Sequence, residues 1–276
     1  MKLRDLLACA IVRLKAAGIV NASRDSRAIV AHATNIPPSR VTLCGDEIIT
    51  SGQCELTNTL LIRRASGCPV SRLIGKRLFW GREFLIDQHV LDPRGDTETL
   101  VELALKTPAY SLLDLGTGSG AIAVTLSAEW PKAKVIASDV SREALLVALK
   151  NARRHGVVDR CDFLLSDWYV AVEGIFDLIV SNPPYIGLAE LSTLSREVKN
   201  FDPLIALCPG SDGLSAYRKI ISGGLKFLIK EGRLIVEIGS RQGKAVAEIM
   251  QSAGYKNIET HKDFDKNDRV VSGVAP

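Results

Sequence analysis

Paired cysteines are missing from this 276-residue chain. Its six cysteines (Cys9, Cys44, Cys54, Cys68, Cys161 and Cys208) are scattered without a C-x-x-C pair. That excludes a zinc ribbon and a small disulfide scaffold, and it fits reduced thiols in a cytoplasmic protein. The four histidines, His32, His89, His155 and His261, lack metal-ligand spacing, so no metal is expected. No apolar run reaches membrane-spanning length. Even the N-terminal MKLRDLLACAIVRLKAAG is broken by Arg4, Asp5, Arg13 and Lys15, so neither a signal peptide nor a membrane anchor is expected. Charge excess is also lacking. Lys and Arg total 35 against 31 Asp and Glu, a net +4, far from the concentrated basic charge of a dedicated nucleic-acid binder. There is no internal repeat and no low-complexity segment.

What is present changes character along the chain. Residues 1–68 read as a small helical bundle. Leu3, Leu7, Ala10, Ile11 and Leu14 recur at helical spacing up to Gly18, a second helix fits 23–33, and a third fits 51–65. In the third, Leu56, Leu60 and Leu61 form the apolar side, and Arg63 and Arg64 make a solvated, dipole-favoured end. Residues 69–95, with RLFWGREFLIDQHVL, read as a β-hairpin linker in which Trp80 packs. From 96 to 276 strands and helices alternate. Short apolar runs at 111–115, 134–138, 161–165, 176–180 and 233–238 are separated by helices such as 142–155 and 215–230. This is the pattern of a mostly parallel sheet covered on both faces.

The densest chemistry lies in LLDLGTGSGAIAVTLS. A strand delivers Asp114, then Gly116, Thr117, Gly118, Ser119 and Gly120 lead into a helix. The spacing is not the dinucleotide G-x-G-x-x-G, whose third glycine falls one residue later. Alternating glycines let the backbone turn tightly beside a ligand, and the preceding acid favours a cationic one. VIASD ends the next strand with Asp139, placed to accept the two hydroxyls of a ribose. LLSDW ends a third with Asp167 and Trp168, a carboxylate and a plane suited to adenine. Alone, the glycine loop is also compatible with another nucleotide site or a structural turn. Three strand ends in order favour a single ligand beyond the carboxyl edge of the sheet.

These residues resemble the S-adenosylmethionine site of a class I methyltransferase. The resemblance implies a Rossmann-like, seven-stranded, mostly parallel sheet with an antiparallel last strand at 268–273, preceded by the helical bundle and hairpin. The fourth strand ends in Asn182, Pro183, Pro184 and Tyr185. This is similar to the N-P-P-Y motif of methyltransferases acting on a planar amino nitrogen, an adenine amine or a glutamine amide. Two consecutive prolines stop the strand and fix the chain. The Asn182 side-chain oxygen and the Pro183 carbonyl can accept both N–H groups of the target, while Tyr185 packs on its flat face. Glu237, ending the fifth strand, is either a supporting acid or a helix-capping partner.

Over nearly its whole length the chain resembles the release factor glutamine methyltransferases (the HemK/PrmC family). The matching pieces are G-C-P-V with Gly75, F-W-G at 79–81, P-R-G-D-T-E at 93–98, DLGTGSGAIA, SDW, FDLIVSNPPYI, DGLSAYR, LIVEIGSRQG and DRVV. The resemblance implies methylation of the N5 amide of the glutamine in the Gly-Gly-Gln motif of bacterial class 1 release factors. Residues 1–68 would dock that protein, with no sequence-specific nucleic-acid contact. A ribosomal-protein glutamine methyltransferase shares the catalytic pattern, and an adenine-N6 methyltransferase is a more distant alternative. Three linker positions depart from the family: Arg72 replaces a common Tyr, Asp92 an Ile and Gly95 a Pro. On the family pattern Arg94 and Glu98 line the entrance beside Asn182; otherwise they form a salt-bridged helix start.

Overall fold

The computed structural model describes residues 1–210 and 212–276. It divides into two compact units, one of residues 1–76 with 195–201 and one of residues 77–194 with 202–276.

The first unit is built on helices α1 (Leu3–Ala16), α2 (Ala22–Thr34), α3 (Ser51–Ala65) and the short α4 (Val70–Ile74). Leu3, Leu6, Ala10 and Leu14 form the buried stripe of α1, and each fully buried leucine contributes roughly 1.5–3 kcal/mol. Helix α2 stops where Asn35 takes a left-handed conformation at φ 58°. Helix α3 starts at a capping box: Thr50 Oγ1 accepts from the Gln53 N–H at 3.3 Å, and Gln53 Oε1 accepts from the Thr50 N–H at 3.0 Å.

Three expectations change here. Leu60 and Leu61 are buried, but Leu56 is exposed. Arg64 is not a solvated helix end: it is 8% exposed and paired with Asp25 at 2.8 Å and with Glu197, from helix α5 (Arg196–Phe201), at 2.7 Å. Residues 70–74 are helical rather than part of a hairpin.

In the second unit the hairpin is confined to β1 (Lys76–Phe79) and β2 (Arg82–Leu85). Trp80 and Gly81 form its two-residue turn, with φ of 50° and 68°, signs that match the twist of a tight hairpin. Trp80 packs against the main core, as expected.

The sheet has seven strands: β3 (Ser111–Leu115), β4 (Lys134–Asp139), β5 (Cys161–Leu165), β6 (Phe176–Ser181), β7 (Leu228–Glu237), β8 (Lys256–Lys262) and β9 (Asp268–Val274). Their order is β5-β4-β3-β6-β7-β9-β8. Strands β3 to β7 are parallel, and β9 runs antiparallel to both neighbours. The expected mixed α/β sheet with an antiparallel last strand is therefore present. Strand β7 begins at Leu228, where a helix was expected to continue to 230, because α9 (Ser215–Gly224) ends earlier. Strand β8 has no apolar run. It is an edge strand whose residues are exposed or only partly buried.

Helices α6 (Glu98–Leu105), α7 (Ala121–Glu129), α8 (Arg142–Arg154) and α10 (Gly243–Ala253) complete this unit. Two large apolar clusters, with a small one of Ile86, Val90, Ala144 and Val147, form its core. One includes Leu112, Leu126 and Leu178; the other includes Leu113, Ile179 and Tyr217. Successive residues of β3 thus enter different clusters, as alternation across a strand requires.

Candidate active site

Strands β3 and β6 are neighbours at the point where strand order reverses, with Leu115 paired to Ser181. Gly116 and Asn182 therefore follow paired residues and leave the sheet side by side. Ser181 Oγ donates to the Leu115 carbonyl at 2.7 Å and ties the two strand ends together. Ligands bind at such a switch point in open α/β sheets. A cavity of about 480 Å³ lies there, within the range of roughly 300–1,000 Å³ usual for small-molecule sites.

The glycine loop is held from behind. The Gly116 and Thr117 N–H groups both donate to the Ser138 carbonyl at 2.9 Å. Asn151 Nδ2 donates to the Ser119 carbonyl at 2.8 Å and to the Leu85 carbonyl at 2.9 Å. Gly116, Thr117, Gly118 and Ser119 line the cavity. A Cβ on Gly118 would stand in open space, and one on Gly116 would lie 3.9 Å from Trp168 Cζ3. Gly120 has another task. Its φ is +79°, and a Cβ there would meet Ala148 Cβ at 3.1 Å. It lets α7 start hard against α8 and is not part of the cavity wall.

Asp114 is likewise behind the wall and fully buried. Its Oδ2 accepts from the Thr117 hydroxyl at 2.7 Å and the Ala123 N–H at 3.2 Å, while Oδ1 has no hydrogen-bond partner among the described residues. Burial pushes this carboxyl up to about 7, against the pull of Thr117 and the Ala123 amide and with a further rise from Asp139. Asp139 does line the cavity. Its Oδ2 accepts from the Gly118 N–H at 2.8 Å and its Oδ1 from the Ser141 N–H at 2.9 Å. Each oxygen keeps a further lone pair for a ligand. Burial raises this carboxyl too, and the amides of Ser141, Gly118 and Val140 pull it back.

Trp168 and Asp167 also border the cavity. Trp168 sits at a φ of 53°, uncommon for a non-glycine residue. Asp167 is at the outer rim, with its side chain 59% exposed and 3.9 Å from Lys219 Nζ.

At the fourth strand end, Asn182 and Pro184 line the cavity, whereas Pro183 and Tyr185 do not. Tyr185 packs against the second core cluster, and burial pushes its phenol up to about 12. It is a neutral packing residue behind the cavity rather than a base. Arg94 is at the cavity and paired with Asp202 at 2.6 Å. Glu98 is not; its Oε1 accepts from the Trp80 N–H at 2.7 Å.

The sequence carries the same message over its full length. The methyltransferase small domain model matches residues 91–200, and the PrmC N-terminal domain model matches residues 5–75. A release factor glutamine methyltransferase of Cereibacter sphaeroides is 46% identical over 276 residues, 100% of this chain and 99% of that protein. That of Agrobacterium fabrum is 38% identical over 94% of this chain and 93% of its own. That of Rhodospirillum rubrum is 40% identical over 94% and 81%. The chain belongs to the release factor glutamine methyltransferase family.

Three residues that support the site of this methyltransferase were not singled out from sequence. Gln242 Nε2 donates to the Tyr185 carbonyl at 2.9 Å, and its Oε1 accepts from the Gly239 N–H at 3.0 Å. Gly213 lies so close to the same turn that a Cβ would come within 2.4 Å of the Tyr185 carbonyl. Thr97 lines the cavity, and its Oγ1 accepts from Asn182 Nδ2 at 3.2 Å. Glu237 is buried at the end of β7; burial pushes its carboxyl up to about 7, and Thr97 and Asn182 beside it pull it back. All three fall in pieces that resemble the family pattern, Thr97 in P-R-G-D-T-E, Gly213 in DGLSAYR and Gln242 in LIVEIGSRQG, and these were the available signal.

Proposed function

We propose that the chain transfers a methyl group from S-adenosylmethionine to the N5 amide of the glutamine in the Gly-Gly-Gln motif of class 1 peptide chain release factors. The observation that carries this reading is the meeting of Asp139, the glycine loop and Asn182 on one cavity.

The residues fit the cofactor. Asp139 would accept the ribose hydroxyls, Trp168 would face the adenine with Asp167 at the rim, and the backbone from Gly116 to Ser119 would cradle the amino-acid end. Asp114, buried behind the loop, would brace it through the Thr117 hydroxyl and the Ala123 N–H. When bound, S-adenosylmethionine would supply a methyl carbon on a cationic sulfur, with the neutral thioether of S-adenosylhomocysteine as its leaving group and the spare amide proton passing to water.

An amide nitrogen is a weak nucleophile because its lone pair is delocalised into the carbonyl. The protein's contribution is therefore orientation and local electrostatics rather than a strong base. Asn182 Oδ1 would accept one N–H of the target, and the Pro183 carbonyl would accept the other. The two prolines keep both acceptors from relaxing. Residues 1–68 would dock the release factor, with residues 69–95 linking them to the methyltransferase domain at 96–276.

Incubation with labelled cofactor and, separately, release factors, ribosomal subunits and DNA tests the reading. Label in the release factor glutamine supports it. Label confined to ribosomal protein or nucleic acid overturns it.

A further inference from the structure

Strands β6 and β7 end side by side. Ser181 pairs with Val236, so the residues that follow, Asn182 and Glu237, stand together at the carboxyl edge of the sheet. Glu237 is 1% exposed and Thr97 4% exposed. Asn182 Nδ2 donates to Thr97 Oγ1 at 3.2 Å; Thr97 and Asn182 both act on the Glu237 carboxyl and hold it down against its burial, and its Oε2 has no hydrogen-bond partner among the described residues. A buried acid in a site of this kind calls for an explanation, since burying a carboxylate is costly.

We propose that Thr97 and Glu237 are positioning residues that fix which end of the Asn182 amide faces the cavity. The proposal rests on the reading in which Asn182 holds the target amide. An ionised carboxylate only accepts hydrogen bonds. The Thr97 hydroxyl must then donate to Glu237, and its lone pairs are left to accept from the Asn182 NH2. A side-chain amide carries donor and acceptor at opposite ends, so tying NH2 inward turns Oδ1 toward the cavity that Asn182 lines. The flipped amide would set Oδ1 against acceptors and leave its own NH2 unpaired. Each such loss costs roughly 1–3 kcal/mol.

The direction of this relay depends on charge at Glu237. A protonated carboxyl donates, which frees the Thr97 hydroxyl to donate in turn to Asn182 Oδ1, and the amide loses its bias. Every packed neighbour bears on that charge. Burial pushes Glu237 up to about 7, Arg269 of β9 and the hydrogen bonds of Thr97 and Asn182 pull it down, and Asp96 raises it. The phenols of Tyr185 and of Tyr217 on α9 also face it, both held neutral by burial.

The test compares Thr97→Val, Thr97→Ser and Glu237→Gln in the full chain, with release factor as substrate, from pH 5.5 to 8.5. Thr97→Val keeps the shape and removes the hydroxyl. Its kcat should fall at least tenfold while cofactor Kd stays within twofold, and Thr97→Ser should recover most of the loss. Wild-type kcat should fall on acidification through about 7, the position of the Glu237 carboxyl, and this limb should vanish in Glu237→Gln. Near-normal kcat in Thr97→Val, or an unchanged acid limb in Glu237→Gln, overturns the proposal. If Glu237→Gln fails to fold, the Val and Ser pair still decides. A fully active Asn182→Ala overturns the underlying reading and this proposal with it. An inactive Asn182→Ala beside a fully active Thr97→Val overturns this proposal alone.

Discussion

Gln242 Nε2 donates to the main-chain oxygen of Tyr185 at 2.9 Å across 57 residues of sequence. The same side chain caps the Gly239 N–H through Oε1 at 3.0 Å. One glutamine thus joins the turn after β6 to the turn after β7. Gln242→Ala leaves both backbone groups without this partner, at about 1–3 kcal/mol of stability. Loosening the turn that carries Asn182 should lower kcat about tenfold with little change in cofactor Kd. Steady-state kinetics with calorimetric binding separates the two, and an unchanged kcat contradicts the clamp.

Asp139 is where cofactor affinity should be concentrated. Each charge-assisted hydrogen bond to a ribose hydroxyl contributes about 1.5–3 kcal/mol. Asp139→Ala also releases Gly118 and Ser141 from the carboxylate. Titration with S-adenosylhomocysteine should show Kd raised at least tenfold; a change below threefold would place the ribose elsewhere.

Stability should carry the mark of Asp114. Its folded value near 7 lies above the ordinary carboxyl value near 4. A raised folded value means stability that is fully present below pH about 4 and is lost as pH rises through about 7. Comparing wild type with Asp114→Asn by chemical denaturation from pH 4 to 8 should reveal this. The wild type should lose, relative to the variant, up to about 4 kcal/mol over that window, three pH units at 1.36 kcal/mol each. A pH-independent difference would contradict the shift.

In the helical unit the sensitive pair is Arg64 and Asp25, both buried and 2.8 Å apart. Arg64→Met leaves Asp25 buried without its main partner, which costs roughly 3–5 kcal/mol. Limited proteolysis and thermal unfolding should show residues 1–76 opening first. Wild-type resistance would mean that Arg64 is solvated, as the bare sequence suggests.

The parts legible in sequence are those whose meaning is local. The loop around Gly118 and the strand ends at Asp139 and Asn182 each announce themselves within a few residues, by glycine spacing or by paired prolines. What escaped depends on partners far apart. Thr97 meets Asn182 across 85 residues, and Arg64 meets Glu197 across 133, separations at which no pattern speaks. Strand β8 escaped because a solvated edge strand needs no apolar run. Asp114 and Gly120 belong to the motif yet do not line the cavity, because the motif gives order along the chain but not depth; one braces the loop and the other packs two helices. The hairpin was drawn too long because Val70–Ile74 is too short a helix to show a period.

The most direct measurement is transfer of labelled methyl from S-adenosylmethionine to a purified release factor by wild type and by Asn182→Ala, with cofactor binding measured on both. Wild type should label the glutamine of the Gly-Gly-Gln loop, and Asn182→Ala should bind cofactor within a few-fold of wild type while losing transfer. Near wild-type transfer by the variant, or wild-type label appearing only outside that glutamine, would contradict the assignment.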